Sequence, residues 1–131
     1  MMNSDIIEDI KNKKRLADYY YDNFNKYYRI KKWSKASEFL WGTINALAYA
    51  LGLFEGKKLS THNKIRDFLI ELSDAYNDKE IAEGIAPAET LHANYFHDFM
   101  DELVFEKNRS DAEKLIKKLA EILDHKIESL P

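Results

Sequence analysis

The strongest chemical pattern in the sequence is an E-x-x-H motif formed by Glu89 and His92. On a helix this spacing places a carboxylate and an imidazole on adjacent turns, as in the metal-binding helices of di-iron bundles. Those bundles need two such motifs and two further glutamates, and this sequence has one motif. His97 lies about 140° around the helix from His92, so the two imidazoles do not converge on one ion. We therefore predict no metal site and no cofactor, and we interpret His92 as a histidine on the apolar inner face of its helix.

A polar stripe crosses the longest apolar stretch of the chain, residues 33–54. Glu38, Gly42, Asn45, Tyr49 and Gly52 recur at spacings of four and three, which places them on one side of a helix. A few polar groups on an apolar wall are typical of a pocket or a specific interface. Two other interpretations stay open: this side of the helix meets water, or the glycines permit close helix packing.

A second polar pair lies near a predicted helix start. His62 and Arg66 share a helix face at i,i+4 spacing, where the backbone N–H groups of a helix N-terminus favour anions. The sequence contains no glycine-rich phosphate loop, Walker pattern or nucleophile-and-base order, so we predict no catalytic residue; whether the protein is an enzyme stays open, with binding without catalysis favoured. The candidate binding residues are Glu38, Asn45, His62, Arg66, His92 and Asn94.

The segment from residue 11 to residue 35 is both basic and aromatic, with five tyrosines and Trp33 among nine Lys and Arg. Basic grooves with stacking aromatic rings bind single-stranded nucleic acid. The alternative is a solvated face with Lys14–Asp18 and Asp22–Lys26 ion pairs at i,i+4, and with most tyrosines in the core. We favour this alternative, and the isoelectric point of about 5.8 also argues against a dedicated nucleic-acid binder.

Length and composition indicate one domain covering residues 1–131. Only 4 Gly and 2 Pro leave little turn chemistry for a many-stranded fold. Residues 33–54 include Lys35, Glu38 and Asn45, so we predict no membrane span. The acidic N-terminus lacks the bases of a signal peptide, and the absence of cysteine excludes disulfides and thiolate metal sites. We expect a cytoplasmic protein.

The net charge of −3 hides an asymmetry between the two halves of the chain. Residues 1–66 hold 13 Lys and Arg against 7 Asp and Glu, whereas residues 67–131 hold 7 against 16. Opposite charges attract within one domain and between two copies of it. Together with the apolar breadth of residues 33–54, this asymmetry predicts a homodimer with the polar stripe at or near its interface.

Hydrophobic periodicity predicts an all-α fold without strands: an up-and-down bundle of four core helices plus a fifth. The predicted helices cover residues 4–28, 33–54, 60–76, 79–101 and 110–128, with the second one central. Ser4 is the predicted N-cap of the first helix. Gly84 and Pro87 predict a kink or a split near Ala86. Ser110 and Glu113 form a capping-box pattern that predicts the start of the last helix.

Two segments carry a resemblance to a known family. Residues 35–42, KASEFLWG, resemble the A-S-E-K-L-W-G-A stretch of the archaeal PaREP-type family. Residues 91–96, LHANYF, resemble that family's L-H-A-N-F-Y with the two aromatics exchanged, and residues 60–62 resemble its S-H at a helix start. The resemblance extends from about residue 20 to about residue 128, and the family is similar to the HEPN superfamily of helical bundles.

The resemblance implies a HEPN-like bundle that dimerises and binds a nucleotide, RNA or a protein partner. The alternative is a structural docking protein, for example the partner of a nucleotidyltransferase in a toxin–antitoxin-like pair. HEPN ribonucleases resemble one another in an Arg followed by His after four to six residues. None of Arg15, Arg29, Arg66 and Arg109 is followed by His at that spacing. We therefore predict that the protein is not a ribonuclease of this kind.

Overall fold

Six α-helices make up the fold, and the computed structural model describes residues 2–131. The helices are α1 (Ser4–Arg29), α2 (Trp33–Leu53), α3 (His62–Ala75), α4 (Lys79–Glu83), α5 (Ile85–His97) and α6 (Glu102–Glu128). The described residues contain no strand. The predicted all-α bundle is confirmed. None of these helices combines the length and the apolar character that a bilayer crossing requires.

The predicted central helix is α2, which packs against α1, α3, α5 and α6. Its apolar side chains are buried over most of its circumference, because the other helices cover them. Its burial within one chain removes one of the reasons for expecting a homodimer, since α2 leaves no broad apolar face for a second copy.

The N-terminal helix follows the predicted pattern closely. Ile10, Ala17 and Phe24 form its buried face at spacings of seven. The N-cap is Asn3 and not Ser4, because the Asn3 Oδ1 atom accepts a hydrogen bond of 2.8 Å from the backbone N–H of Ile6.

A half-buried polar network joins α1 to α6. The Arg109 guanidinium binds the carboxylates of both Glu106 and Glu113. The Tyr21 hydroxyl donates a hydrogen bond to Glu113. Burial and this hydrogen bond raise the pKa of Tyr21 to about 12. The network links α1 to α6 through side chains.

The predicted split near Ala86 is present, with Gly84 as the junction between α4 and α5. A Cβ atom at Gly84 would lie 2.8 Å from the Cβ atom of Leu115, so only glycine lets the elbow between α4 and α5 approach α6 this closely. Pro87 lies in the first turn of α5, where its missing N–H costs no intrahelical hydrogen bond.

The last helix begins at Glu102, and the prediction that it starts at Ser110 is wrong. The Asp101 side chain accepts a hydrogen bond of 2.9 Å from the N–H of Val104 and is the N-cap. Ser110 lies inside the helix, where the S-x-x-E pattern has no capping role. A serine in the interior of a helix costs only about 0.5 kcal/mol relative to alanine. The helix that began at Glu102 therefore continues through Ser110.

Candidate functional site

A cavity of about 360 Å³ lies between α1, α2 and the start of α3. Its lining residues are Lys13, Leu16, Tyr20, Gly42, Asn45, Ala46, Tyr49, Leu59, Ser60, Thr61, His62 and Ile65. The lining carries one lysine and one histidine and no carboxylate. The volume is at the lower end of the range for small-molecule sites. We call this cavity the α3 pocket.

The wall of the α3 pocket formed by α1 and α2 depends on a glycine. A Cβ atom at Gly42 would lie 2.9 Å from Cδ2 of Tyr20, so a larger residue would displace the tyrosine ring. Across the pocket wall, the Lys13 Nζ atom lies 4.5 Å from the centre of the Tyr49 ring. This cation–π contact holds a positive charge beside two aromatic surfaces.

Asn45 provides an unsatisfied polar group in this wall. Its Oδ1 atom is buried, and no other atom of residues 2–131 donates a hydrogen bond to it. An orphaned buried acceptor costs about 1–3 kcal/mol, and such groups are rare in native structures. The oxygen has almost no solvent-accessible surface, so a ligand in the pocket would donate to it only after the Asn45 side chain turns toward the cavity.

The opposite wall is the N-terminus of α3. Thr61 caps the helix, with its hydroxyl accepting a hydrogen bond of 3.2 Å from the N–H of Lys64. Helix geometry leaves the backbone N–H groups of His62 and Asn63 for an acceptor outside the helix. These groups and the helix dipole favour a negative charge at this end of the pocket.

His62 also connects the pocket to a cluster of aromatic rings. The His62 and His92 rings meet edge to face with centroids 4.8 Å apart, and both contact the ring of Trp41. Phe96 lies against the other edge of His92, at 5.1 Å. Burial, and to a lesser degree the charge of His62, lowers the pKa of His92. His92 is therefore neutral at pH 7.

Two of the six predicted binding residues, Asn45 and His62, line the α3 pocket. His92 lies behind His62 and reaches the pocket only through it. Glu38 is half-buried one turn before Gly42, and Arg66 is exposed one turn after His62, and neither lines the cavity. The predicted polar stripe thus divides, with Gly42, Asn45 and Tyr49 in the pocket and Glu38 outside it.

Asn94 occupies a different place from the other candidates. It is fully buried, and its Oδ1 atom accepts hydrogen bonds of 2.9 Å from the N–H groups of both Phe99 and Met100. Its Nδ2 group donates to the Ser37 hydroxyl at 3.0 Å. These bonds use both ends of the amide inside the protein, so the structure gives Asn94 a packing role at the turn between α5 and α6.

Sequence reasoning missed Lys13 as a site residue. Lys13, Leu16 and Tyr20 recur at spacings of three and four, so they share a face of α1. The sequence pattern that could have identified this wall of the pocket is Lys13 and Tyr20 on a face of α1 that is otherwise apolar. That face pairs with Asn45 and the α3 start only in three dimensions, because the residues are separated by 30 to 50 positions.

The basic and aromatic segment does not form a stacking platform. Tyr27 stacks on Phe39 and Trp33 stacks on Phe105, with ring centroids 5.6 and 4.8 Å apart. The predicted Lys14–Asp18 ion pair is present at 3.4 Å, whereas Asp22 and Lys26 form no ion pair in the described part of the chain. Of the five tyrosines, only Tyr19 is largely exposed.

The histidines do not create a metal site with their neighbours. Among residues 2–131, no three His, Asp or Glu side chains lie close enough to hold one ion. The E-x-x-H motif therefore has no further ligands around it in this part of the chain.

Comparison of the chain with protein-family models, with curated proteins and with solved structures finds no match.

Proposed function

We propose that the protein is a binding module that takes a small phosphorylated ligand of the nucleotide class in the α3 pocket, without catalysis of its own. The observation that carries the proposal is the convergence of three features in one cavity. These are the Lys13 ammonium group, the orphaned Oδ1 atom of Asn45 and the N-terminus of α3.

Each feature fits one part of a nucleotide. The amides at the start of α3 and the Lys13 ammonium suit a phosphate, because both are donors in a lining without carboxylates. The rings of Tyr20 and Tyr49 offer apolar surface to a base. The Asn45 oxygen would accept from an amino or imino group on the base edge once its side chain turns toward the cavity.

Pocket size favours a mononucleotide over an RNA strand. A cavity of about 360 Å³ holds one nucleotide-sized ligand. A strand would need an extended groove with several stacking rings, and the tyrosines of α1 are mostly packed into the core. RNA binding is therefore the less supported form of this proposal.

The surroundings of the histidines favour binding over catalysis. Both imidazoles contact aromatic rings, and within residues 2–131 neither is hydrogen-bonded to a carboxylate or a hydroxyl. A general base or an activated nucleophile needs such a partner to orient it.

The second candidate function is docking of another protein, and an exposed apolar corner between α5 and α6 favours it. A HEPN-like identity and a nucleotidyltransferase partner remain predictions from the resemblance. They are independent of the α3 pocket.

Calorimetric titration with adenosine, guanosine and uridine monophosphates tests the proposal, with ribose 5-phosphate and inorganic phosphate as partial ligands. We expect at least one nucleotide to bind more tightly than either partial ligand. Lys13→Ala should weaken that binding by about tenfold to a hundredfold, because a charge-assisted contact contributes about 1.5–3 kcal/mol.

The matched control is Lys11→Ala, which removes the same charge from an exposed position on the same helix. If both variants weaken nucleotide binding equally, the lysines act by long-range electrostatic attraction of the ligand, and Lys13 makes no specific contact with it. An absorbance excess at 260 nm in the purified protein, removed by ribonuclease, would support RNA instead of a mononucleotide.

A further inference from the structure

Exposed large apolar side chains are concentrated at the corner where α5 meets α6. Eight large hydrophobic side chains are exposed in residues 2–131, and four of them lie between residues 96 and 104. They are Phe96, Phe99, Leu103 and Val104. Leu103 is 81% exposed and Phe96 is 66% exposed. Single exposed apolar residues are ordinary, whereas a cluster of this kind marks an interaction surface.

The backbone at this corner explains why sequence periodicity did not predict the exposure. The predicted fourth helix extends to residue 101, which would keep Phe96 and Phe99 within regular helix. Instead α5 ends at His97, and Asp98 takes a left-handed conformation with φ of 45°. The turn that follows, held by Asn94, directs Phe99 outward while Met100 is buried.

The turn between α1 and α2 lies beside this corner and extends it. Lys31 forms an ion pair of 3.7 Å with Glu102, and the Ser34 hydroxyl donates to the backbone oxygen of Tyr95 at 3.1 Å. Ile30, in the same turn, is a fifth exposed apolar side chain. We call residues 29–32 and 96–104 together the aromatic corner.

The charges of the aromatic corner are arranged in two groups of opposite sign. The α1–α2 turn contributes Arg29, Lys31 and Lys32, whereas the α5–α6 turn contributes Asp98, Asp101 and Glu102; all six residues are exposed. Arg29 and Lys32 have no ion-pair partner within residues 2–131. Both side chains of the Lys31–Glu102 ion pair are solvent-exposed, so the pair contributes little to stability. Either side chain can instead pair with an opposite charge on another molecule.

We propose that the aromatic corner is a self-association surface whose occupant is the same corner of a second copy of this chain. A two-fold interface brings identical patches together, so the basic turn of one copy faces the acidic turn of the other. The patch is therefore complementary to itself in charge, with apolar side chains to bury between the charged groups.

The size of the surface predicts a weak dimer. The aromatic corner contains 13 residues per copy, against about 20–30 per side in a standard stable interface. A dissociation constant of about 1–100 μM follows for such a small contact. The proposal does not rest on the α3 pocket, because none of the 13 residues lines that cavity.

Sedimentation over a range of protein concentrations tests the proposal. The wild type should shift toward twice the monomer mass of 15.4 kDa as concentration rises. Leu103→Asp should raise the dissociation constant by about tenfold or more, because a charge would enter the apolar centre of the contact. The variant should fold normally, since the residue is exposed and acids are favourable in the first turn of α6.

The matched control is Tyr19→Asp, which introduces the same charge at an exposed large side chain outside the corner, in α1. Lys32→Glu should also weaken the dimer, whereas Lys11→Glu, equally exposed but distant from the corner, should not. A wild type that stays monomeric up to about 1 mM would overturn the proposal and leave the corner to a different partner. Equal weakening by Leu103→Asp and Tyr19→Asp would overturn it as well.

Discussion

The imidazoles of His62 and His92 meet edge to face with ring centroids 4.8 Å apart, although 30 positions separate them in the sequence. His62 lines the α3 pocket, and His92 packs on Trp41 behind it. The contact connects the start of α3 to the middle of α5. Packing against the half-buried His92 therefore orients the ring of His62 in the pocket.

The first prediction concerns the titration of His92. Burial lowers the pKa of His92 below that of a free histidine, so the unfolded chain binds the proton more tightly than the folded one. The stability that His92 contributes is complete above pH 6.5 and declines as the pH falls through and below that value. An NMR titration of the imidazole protons of His92 should give a midpoint below 6.5, the ordinary value for histidine.

The control for this prediction compares how the free energy of unfolding of the wild type and of His92→Phe depends on pH. His92→Phe keeps an aromatic ring against Trp41 and removes the titrating group, so it should flatten the acid limb of the stability profile. A His92 midpoint at or above 6.5 would contradict the buried environment described here.

The second prediction concerns Asn94, whose amide holds the turn between α5 and α6. Asn94→Ala removes the acceptor for the N–H groups of Phe99 and Met100. We expect the free energy of unfolding to fall by about 2–4 kcal/mol, because two donors are left without a partner. Urea denaturation measures the loss.

Asn108→Ala is the matched control for Asn94. Its side chain donates a single hydrogen bond to the backbone oxygen of Val104 near the surface, so the same substitution should cost less than about 1 kcal/mol. Equal costs at the two positions would argue against the role assigned to Asn94.

The third prediction concerns Gly42 in the wall of the α3 pocket. Gly42→Ala places a methyl group 2.9 Å from the Tyr20 ring and should displace the ring toward the cavity. Nucleotide affinity should fall by about tenfold, while stability changes by less than about 1 kcal/mol, because the better helix propensity of alanine offsets the strain.

Gly84→Ala separates packing from binding. Its added methyl group would meet Leu115 on α6, away from the pocket, so stability should fall by about 1–3 kcal/mol with nucleotide affinity unchanged. If both alanine variants leave affinity unchanged, the Tyr20 wall does not contact the ligand.

The fourth prediction concerns the network between α1 and α6 at high pH. The pKa of Tyr21 is raised to about 12 against an ordinary value of 10, so the folded state holds this proton more tightly than the unfolded state. Its contribution to stability is complete below pH 10 and is lost as the pH rises from 10 to 12. Tyr21→Phe should reduce the alkaline loss, measured as the difference between the two stability profiles.

The sequence predicted the helices whose apolar periodicity is uninterrupted. Residues 33–54 were identified as the central helix because apolar residues surround it, and the observed bounds differ by one residue. The start of the last helix was misplaced because the capping pattern at Ser110 is also compatible with a helix interior. The N-cap at Asp101 follows a left-handed turn that periodicity does not encode.

The candidate site was predictable only within single helices. Asn45 and His62 were identified because each interrupts a pattern along its own helix. Their convergence with Lys13 depends on how α1 and α3 pack on α2, and side-chain spacing within one helix contains no information on that packing. The internal hydrogen bonds of Asn94 could not be predicted for the related reason that a buried asparagine and a ligand-binding one look alike in sequence.

The central claim is that the α3 pocket binds a nucleotide through Asn45 and the start of α3. A ¹H–¹⁵N NMR titration with adenosine monophosphate tests it at single residues. We expect saturable shifts of the Asn45 side-chain amide and of the backbone amides of His62 and Asn63, which should need about tenfold to a hundredfold more nucleotide in Lys13→Ala and the same amount in Lys11→Ala. Unchanged positions of all three signals up to about 10 mM nucleotide, or shifts confined to residues outside the pocket, would contradict the claim.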